Sequence, residues 1–248
     1  MIHHNEINFA LPDKSLFTRK ELKDYIRAKN PALKDSSFSW LLYDLCQKRI
    51  IQRIAHDVYQ KYEEGSLLKN YTADMSADTV NILGFLKTRF PLITFIIWET
   101  RAFNEFANHQ MARNFIFIEV EKQFDESVFN ALHEKNNYTV LYRPRAKELA
   151  LYSGNITVSV LPITSEAPIS GYYARLEKLL VDLFANELLD LIISRSDFPG
   201  IYEEAFSKYN INYNMMIRYA KRRGKDEKIE SFINSETTIN VYRKEKVK

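Results

Sequence analysis

The sequence predicts a mixed chain of the α/β (α+β) class. It should carry a small winged helix-turn-helix head over residues 1–66 and an α/β body over 75–248 that ends in a helical bundle. Three observations predict this. A stretch of about 45 residues near the start reads helix, helix, then two short β-prone runs. Residues 92–161 alternate apolar strand-like runs with amphipathic helical ones, the pattern of a small, largely parallel sheet. From residue 172 onward the periodicity is helical and rich in leucine. A length of 248 residues accommodates one small and one medium domain. Only 6 Gly and 7 Pro leave little room for long linkers, and no repeat of solenoid period is visible.

Thr18 opens the first helix. Thr18-Arg-Lys-Glu21 fits the capping box, in which the hydroxyl accepts from the amide three residues on and Glu21 reaches back. Phe17 is placed as a hydrophobic staple to Leu22. Leu22, Tyr25 and Ile26 follow at helical spacing, and Asn30-Pro31 ends the run. A second helix is expected with Asp35 or Ser36 as its cap. Phe38, Leu41, Leu42, Leu45 and Cys46 fall on its inner face. Ser39, Trp40, Tyr43, Asp44, Gln47 and Lys48 fall on the outer one. Residues 50–55 and 58–62 are β-prone around His56-Asp57 and read as a two-stranded wing. The segment is short for an independent fold, so residues 5–12 are expected to pack onto it.

The charge is unevenly divided. Residues 14–61 carry eleven Lys/Arg against five Asp/Glu, while the rest of the chain is net acidic. A basic segment with a polar, aromatic helix face suits a duplex, because base edges need short polar donors and acceptors and phosphates need cations. On this reading Ser36, Ser37, Ser39, Trp40, Tyr43, Gln47 and Lys48 meet the groove, and Arg49, Arg53 and Lys61 meet phosphates. The alternative is an ordinary solvated face with Trp40 and Tyr43 tucked against the body.

These residues carry a resemblance. Phe17-Thr-Arg-Lys-Glu-Leu22, followed by the run Leu45-Cys-Gln-Lys-Arg-Ile-Ile-Gln-Arg-Ile-Ala-His-Asp-Val-Tyr59, resembles the N-terminal winged helix of AbiEi-type antitoxins of type IV toxin–antitoxin (abortive infection) systems. That family closes its wing with Arg-x-x-x-Gly-x-Tyr. Arg53 and Tyr59 stand at the matching ends here, but Asp57 stands where Gly is usual. A His-Asp turn can supply the positive φ of a tight hairpin at some strain. Farther on, Val160-Leu-Pro-Ile-Thr-Ser-Glu166 and Arg175-Leu-Glu-Lys-Leu-Leu-Val-Asp-Leu-Phe184 are similar to the family's second half, with residues 167–174 as an insertion between them. The resemblance implies a non-enzymatic transcriptional autoregulator that binds operator DNA. It also implies an antitoxin role against a nucleotidyltransferase toxin, without a stable complex between the two. No cofactor is expected.

In the body, Ser76 and Asp78 are expected to cap a helix with Val80, Leu83, Phe85 and Leu86 inward, broken by Pro91. Strands are expected at 92–98, 114–121, 138–142 and 156–161, with helices at 99–110 and 125–135 between them. A long helix is expected at 172–193 with Leu176, Leu179, Leu180, Leu183, Phe184, Leu188 and Leu191 buried. Shorter helices follow at 201–208, 213–223 and 226–233.

Several chemistries are excluded or weak. Cys46 is the only cysteine, so an internal disulfide and a cysteine zinc cluster are impossible. The five His show no metal-ligand spacing, and neither a P-loop nor a GxGxxG run occurs. The longest apolar run, residues 91–98, falls far short of the roughly 20 residues of a spanning helix. The N-terminus lacks a signal-peptide pattern, so a cytoplasmic protein without membrane association is expected. Two alternatives stay open. A metal-dependent nuclease could use Glu99, Glu119, Glu121 and Lys122, although Lys122 falls on the wrong face and a charged strand end reads as a solvated edge. A non-enzymatic adaptor could use its winged helix to bind protein. Asp182 is expected to cap or ion-pair within the body. Lys221-Arg-Arg-Gly-Lys225 reads as a helix C-terminus favoured by the dipole, or as a second anion-binding cluster. The tail 243–248 is expected to be frayed and solvated.

Overall fold

Thr18 takes the part its sequence assigns. In the computed structural model, which describes residues 16–31, 33–47, 50–55, 57–61, 68–107, 111 and 113–239, its hydroxyl accepts from the Glu21 amide at 3.1 Å. Glu21 accepts from the Thr18 amide at 2.7 Å. Helix α1 (Arg19–Lys29) therefore starts on a complete capping box and ends at Asn30, ahead of Pro31. Helix α2 (Asp35–Gln47) follows. Asp35, one of the two expected caps, is its first helical residue. The Asp35 carboxylate takes Lys23 at 2.8 Å and Arg27 at 2.6 Å, bracing α2 against α1.

Strands β2 (Ile51–Ala55) and β3 (Val58–Lys61) form the hairpin, with Asp57 at φ +59° in its turn. A third strand, β1 (Leu16–Thr18), pairs with β3 and was not foreseen. The order is β1-β3-β2, all antiparallel. Phe17 lies opposite Tyr59, and both are buried with Leu22, Ile26, Phe38, Leu41, Leu42, Leu45 and Ile51 in one small core. The head thus runs strand, helix, helix, hairpin. The expected packing of residues 5–12 and the tail 243–248 lie outside the described residues.

By its contacts the chain divides into two units. One holds the residues up to 69 with 212–214 (the head), and the other holds 70–211 with 215–239 (the body). In the body, Ser76 caps α3 (Ala77–Arg89) by accepting from the Thr79 amide. Thr79, Ile82, Leu83 and Leu86 face inward. Val80, expected inside, is exposed. The central strands are β4 (Phe95–Glu99) and β5 (Phe115–Val120), both buried on two faces and therefore apolar almost throughout. Leu92 lies outside β4 and is exposed. A single 3₁₀ stretch, Thr100–Glu105, stands where a helix over 99–110 was expected.

Helix α4 (Asp125–His133), strand β6 (Thr139–Tyr142), helix α5 (Ala146–Tyr152) and strand β7 (Thr157–Pro162) follow. Helix α5 carries too short a pattern to be read from sequence. Residues 167–174, taken as an insertion, supply a small hairpin of β8 (Ile169–Ser170) and β9 (Tyr173–Ala174). The sheet order is β6-β7-β5-β4-β9-β8. β6, β7 and β5 run parallel and β9 runs parallel to β4, but β4 is antiparallel to β5. The sheet is thus mixed at its centre, not largely parallel. Without a helical crossover between β4 and β5, nothing returns the chain to the same end of the sheet.

The expected long helix is shorter, α6 (Leu176–Ala185), and a 3₁₀ turn at Leu189–Leu191 succeeds it with Leu191 exposed. Helices α7 (Phe198–Lys208), α8 (Tyr213–Arg222) and α9 (Asp226–Glu236) close the chain. The fold class is mixed α/β with a helical C-terminal region. No helix among the described residues is long and apolar enough to cross a membrane.

Candidate nucleic-acid interface

Helix α2 is built to show one face. Phe38, Leu41, Leu42 and Leu45 recur at three- and four-residue spacing and are buried against α1 and the hairpin. The opposite face carries Ser37, Ser39, Trp40 and Tyr43, all exposed, with Trp40 at 67% and Tyr43 at 63%. Among the described residues of the head, these two rings are the large hydrophobic side chains left open to water.

Ser39 is less available than its exposure suggests. Its hydroxyl donates to the Asp35 carbonyl at 3.1 Å and accepts from the Arg19 guanidinium at 2.8 Å. Arg19, which sequence reasoning passed over, also lies across the Phe38 ring at 5.7 Å. It thereby brings a cation from the start of α1 to the exposed face of α2. The signal was available, since Arg19 is the first helical residue after a certain cap, but its partner is twenty positions away. The backbone supports this arrangement. The Arg19 amide, an orphan donor of the helix start, donates to the Asp57 carbonyl at 2.7 Å. The left-handed Asp57 is thus tied through its carbonyl to the start of α1.

Charges on the head are partly spent. Lys23, by hydrogen bond and by charge, and Arg27 hold the Asp35 carboxyl below the usual carboxylate range. Lys29 lies over the Tyr25 ring at 4.8 Å. Lys20 and Lys34 are exposed, and Lys61 is half-buried at the end of β3, opposite Ile51. Arg53 stands opposite Tyr59 in the hairpin register, with a shift in pairing between Arg53 and Ala55. Ser36, Gln47 and Arg53 are described in their backbone only. Lys48 and Arg49, assigned to groove and phosphate, lie outside the described residues, so the structure brings together Ser37, Ser39, Trp40 and Tyr43 of the expected set.

The body's carboxylates are organised differently. Glu99 accepts from the Ser76 amide and hydroxyl, the Thr79 hydroxyl and the Asn114 amide at 2.6–2.7 Å, pinning α3 to the end of β4. Glu119 pairs across from Ile96, on the other face of the sheet. It accepts from the Trp98 indole at 2.8 Å and from the fully buried Lys178 ammonium. Lys178 also meets Asp182, one turn on. Asp182 accepts from Tyr219 and Arg223, each at 3.2 Å. Burial alone would lower the Lys178 pKa; Asp182 and Glu119 outweigh it and raise it. Burial, then the Asp182 charge, raises the Tyr219 phenol.

Two expectations are corrected here. Glu119 is no solvated strand end, because a helix-borne lysine closes over it. Glu99 and Glu119 point to opposite faces and Glu121 lies beyond the strand, so the acids imagined for a nuclease do not converge. Among the described residues no three His, Cys, Asp or Glu gather as metal ligands. Asp182 forms ion pairs within the body, as its place in an apolar helix implied. In the cluster 221–225, Arg222 pairs with Glu166 and Arg223 with Asp182 and the Ala185 carbonyl. Those two cations are spent internally.

Comparison with known proteins adds family membership alone. Among solved structures, the chain is similar to the RV2827C protein from Mycobacterium tuberculosis at 11% identity and a TM-score of 0.24, over 96% of this chain and 80% of that one. A likeness at that level says nothing of shared function. No curated protein matches. The profile of a family of unknown function, DUF6577, matches residues 37–239, from α2 to the end of the described chain. The protein therefore belongs to the DUF6577 family.

Proposed function

We propose that this protein is a DNA-binding transcriptional autoregulator and an antitoxin that opposes a nucleotidyltransferase-type toxin. The observation that carries the DNA-binding half is the outward face of α2, where Trp40 and Tyr43 stand in water beside the Arg19–Ser39 pair. A helix whose inner stripe is consumed by a small core, and whose outer face is polar, aromatic and flanked by cations, suits a major groove. On this reading Arg53 and Lys61 of the hairpin contact phosphates. The antitoxin half rests on the resemblance to AbiEi-type antitoxins, and on that reading neither unit is an enzyme. The partner DNA is the operator upstream of the protein's own reading frame.

A gel shift with fragments of that upstream region tests the reading. Charge reversal at Lys61 (K61E) should weaken binding to every sequence and reduce the slope of log affinity against log salt by about one. Equal affinity and slope in wild type and variant would remove the wing contact. Retention of a protein ligand with no affinity for any duplex would favour the adaptor reading instead.

A further inference from the structure

Away from the head, the body carries a cleft that neither the DNA contact nor the buried charge network uses. It has a volume of about 340 Å³ and lies between the start of β5, helix α5 and the turn after α6. Its walls are Met111, Phe115, Leu149, Leu191 and Ile192, and its polar groups are Arg113 and Ser153. We propose that this cleft binds a small amphipathic carboxylate, with the apolar chain among the hydrophobic walls and the carboxylate on Arg113.

Three observations converge. The volume falls at the lower end of the roughly 300–1,000 Å³ of small-molecule sites, which favours a short ligand over a protein segment. The cleft is apolar and open, with Leu191 of its wall exposed. The charge is unbalanced. Among the described arginines of the body, Arg101, Arg143, Arg175, Arg195, Arg218, Arg222 and Arg223 each face a carboxylate, whereas Arg89, Arg113 and Arg145 do not, and of these three Arg113 alone lines the cleft. Arg113 donates to the Ser153 hydroxyl at 3.3 Å and, among the described residues, has no carboxylate. A guanidinium has five N–H donors in a planar fork that matches a carboxylate, so one weak bond to a hydroxyl leaves most of them unused.

Isothermal titration of the full chain with sodium octanoate tests the proposal, with octanol and octyltrimethylammonium as neutral and cationic comparators. Octanoate should bind saturably, one per chain, and more tightly than either comparator. Arg113→Gln should weaken it about tenfold, the loss of one charge-assisted pair. Ala150→Trp, which fills the cleft from an exposed position of α5, should abolish it. Both residues are exposed, so the melting temperature should be unchanged; if Ala150→Trp fails to fold, Arg113→Gln decides alone. The absence of saturable binding, equal binding of the cation, or an affinity unchanged in a folded variant would overturn the proposal.

Discussion

In the body, Lys178 lies wholly out of water with Glu119 and Asp182 against it. In the head, Lys20 and Lys34 stand in solvent, and Trp40 and Tyr43 are exposed. The body has spent its polar groups on itself: Glu99 holds a helix cap and a strand end together, and Asp182 joins α6 to the α8 end. In the head, the Thr18 box, the Asp35 pairs and the Asp57 carbonyl fix the frame. The body buries an ammonium against two carboxylates, whereas the head leaves two aromatic rings and several cations in water. Changes in the two regions should therefore be read out by different measurements.

The largest effect is expected at the buried ammonium. Lys178→Met leaves Glu119 and Asp182 out of water with a partner lost, and should destabilise the body by about 3–5 kcal/mol. Trp98, buried on Phe117 at 4.2 Å between ring centroids, reports this by fluorescence in a Trp40→Phe background during urea unfolding. DNA affinity of the folded fraction should not change. A variant as stable as the wild type would show that the network is not the body's keystone.

Next comes the head's core. Leu45→Ala removes a fully buried side chain and should cost about 2–5 kcal/mol. It should abolish duplex binding while leaving the Trp98 transition in place. A shift of the body transition by the same amount would break the division between the two regions.

A smaller effect concerns acid. The folded Asp35 carboxyl titrates below its ordinary value of 3.8. Its contribution to stability is therefore fully present above that value and is lost as the pH falls through the lower folded one. Circular dichroism melts of the head signal between pH 5 and pH 2.5 should show a drop in wild type that is reduced in Asp35→Asn. An identical pH dependence in the two proteins would contradict the bracing role.

The head was legible in sequence because local rules decide it. A capping box, a proline stop and an apolar stripe at helical spacing specify α1 and α2 whatever surrounds them. Strand β1 escaped because three residues give no periodicity, and their pairing partner lies forty residues on. In the body, Phe95–Glu99 and Phe115–Val120 read plainly as buried strands, but the direction of β4 against β5 depends on a connection whose helix never forms. Val80 and Leu191 misled because a leucine or valine at helical spacing says nothing of which neighbours arrive to cover it. Lys178 carried a signal that was not used. An ammonium and a carboxylate four residues apart in a helix that is apolar on every side must be buried as a pair. The partners of Arg19 and Arg113, Ser39 and Ser153, lie twenty and forty positions away, so the two contacts depend on what lies across space.

The central claim is that the outer face of α2 meets a duplex. Fluorescence anisotropy of a labelled upstream fragment, titrated with wild type and with the Trp40→Ala/Tyr43→Ala double variant, tests it most directly. Both side chains are exposed, so the melting temperature should hold while sequence-specific affinity falls at least tenfold toward the non-specific level. A double variant that binds the same fragment as tightly as the wild type, or a wild type that binds no duplex at low salt, would contradict the account.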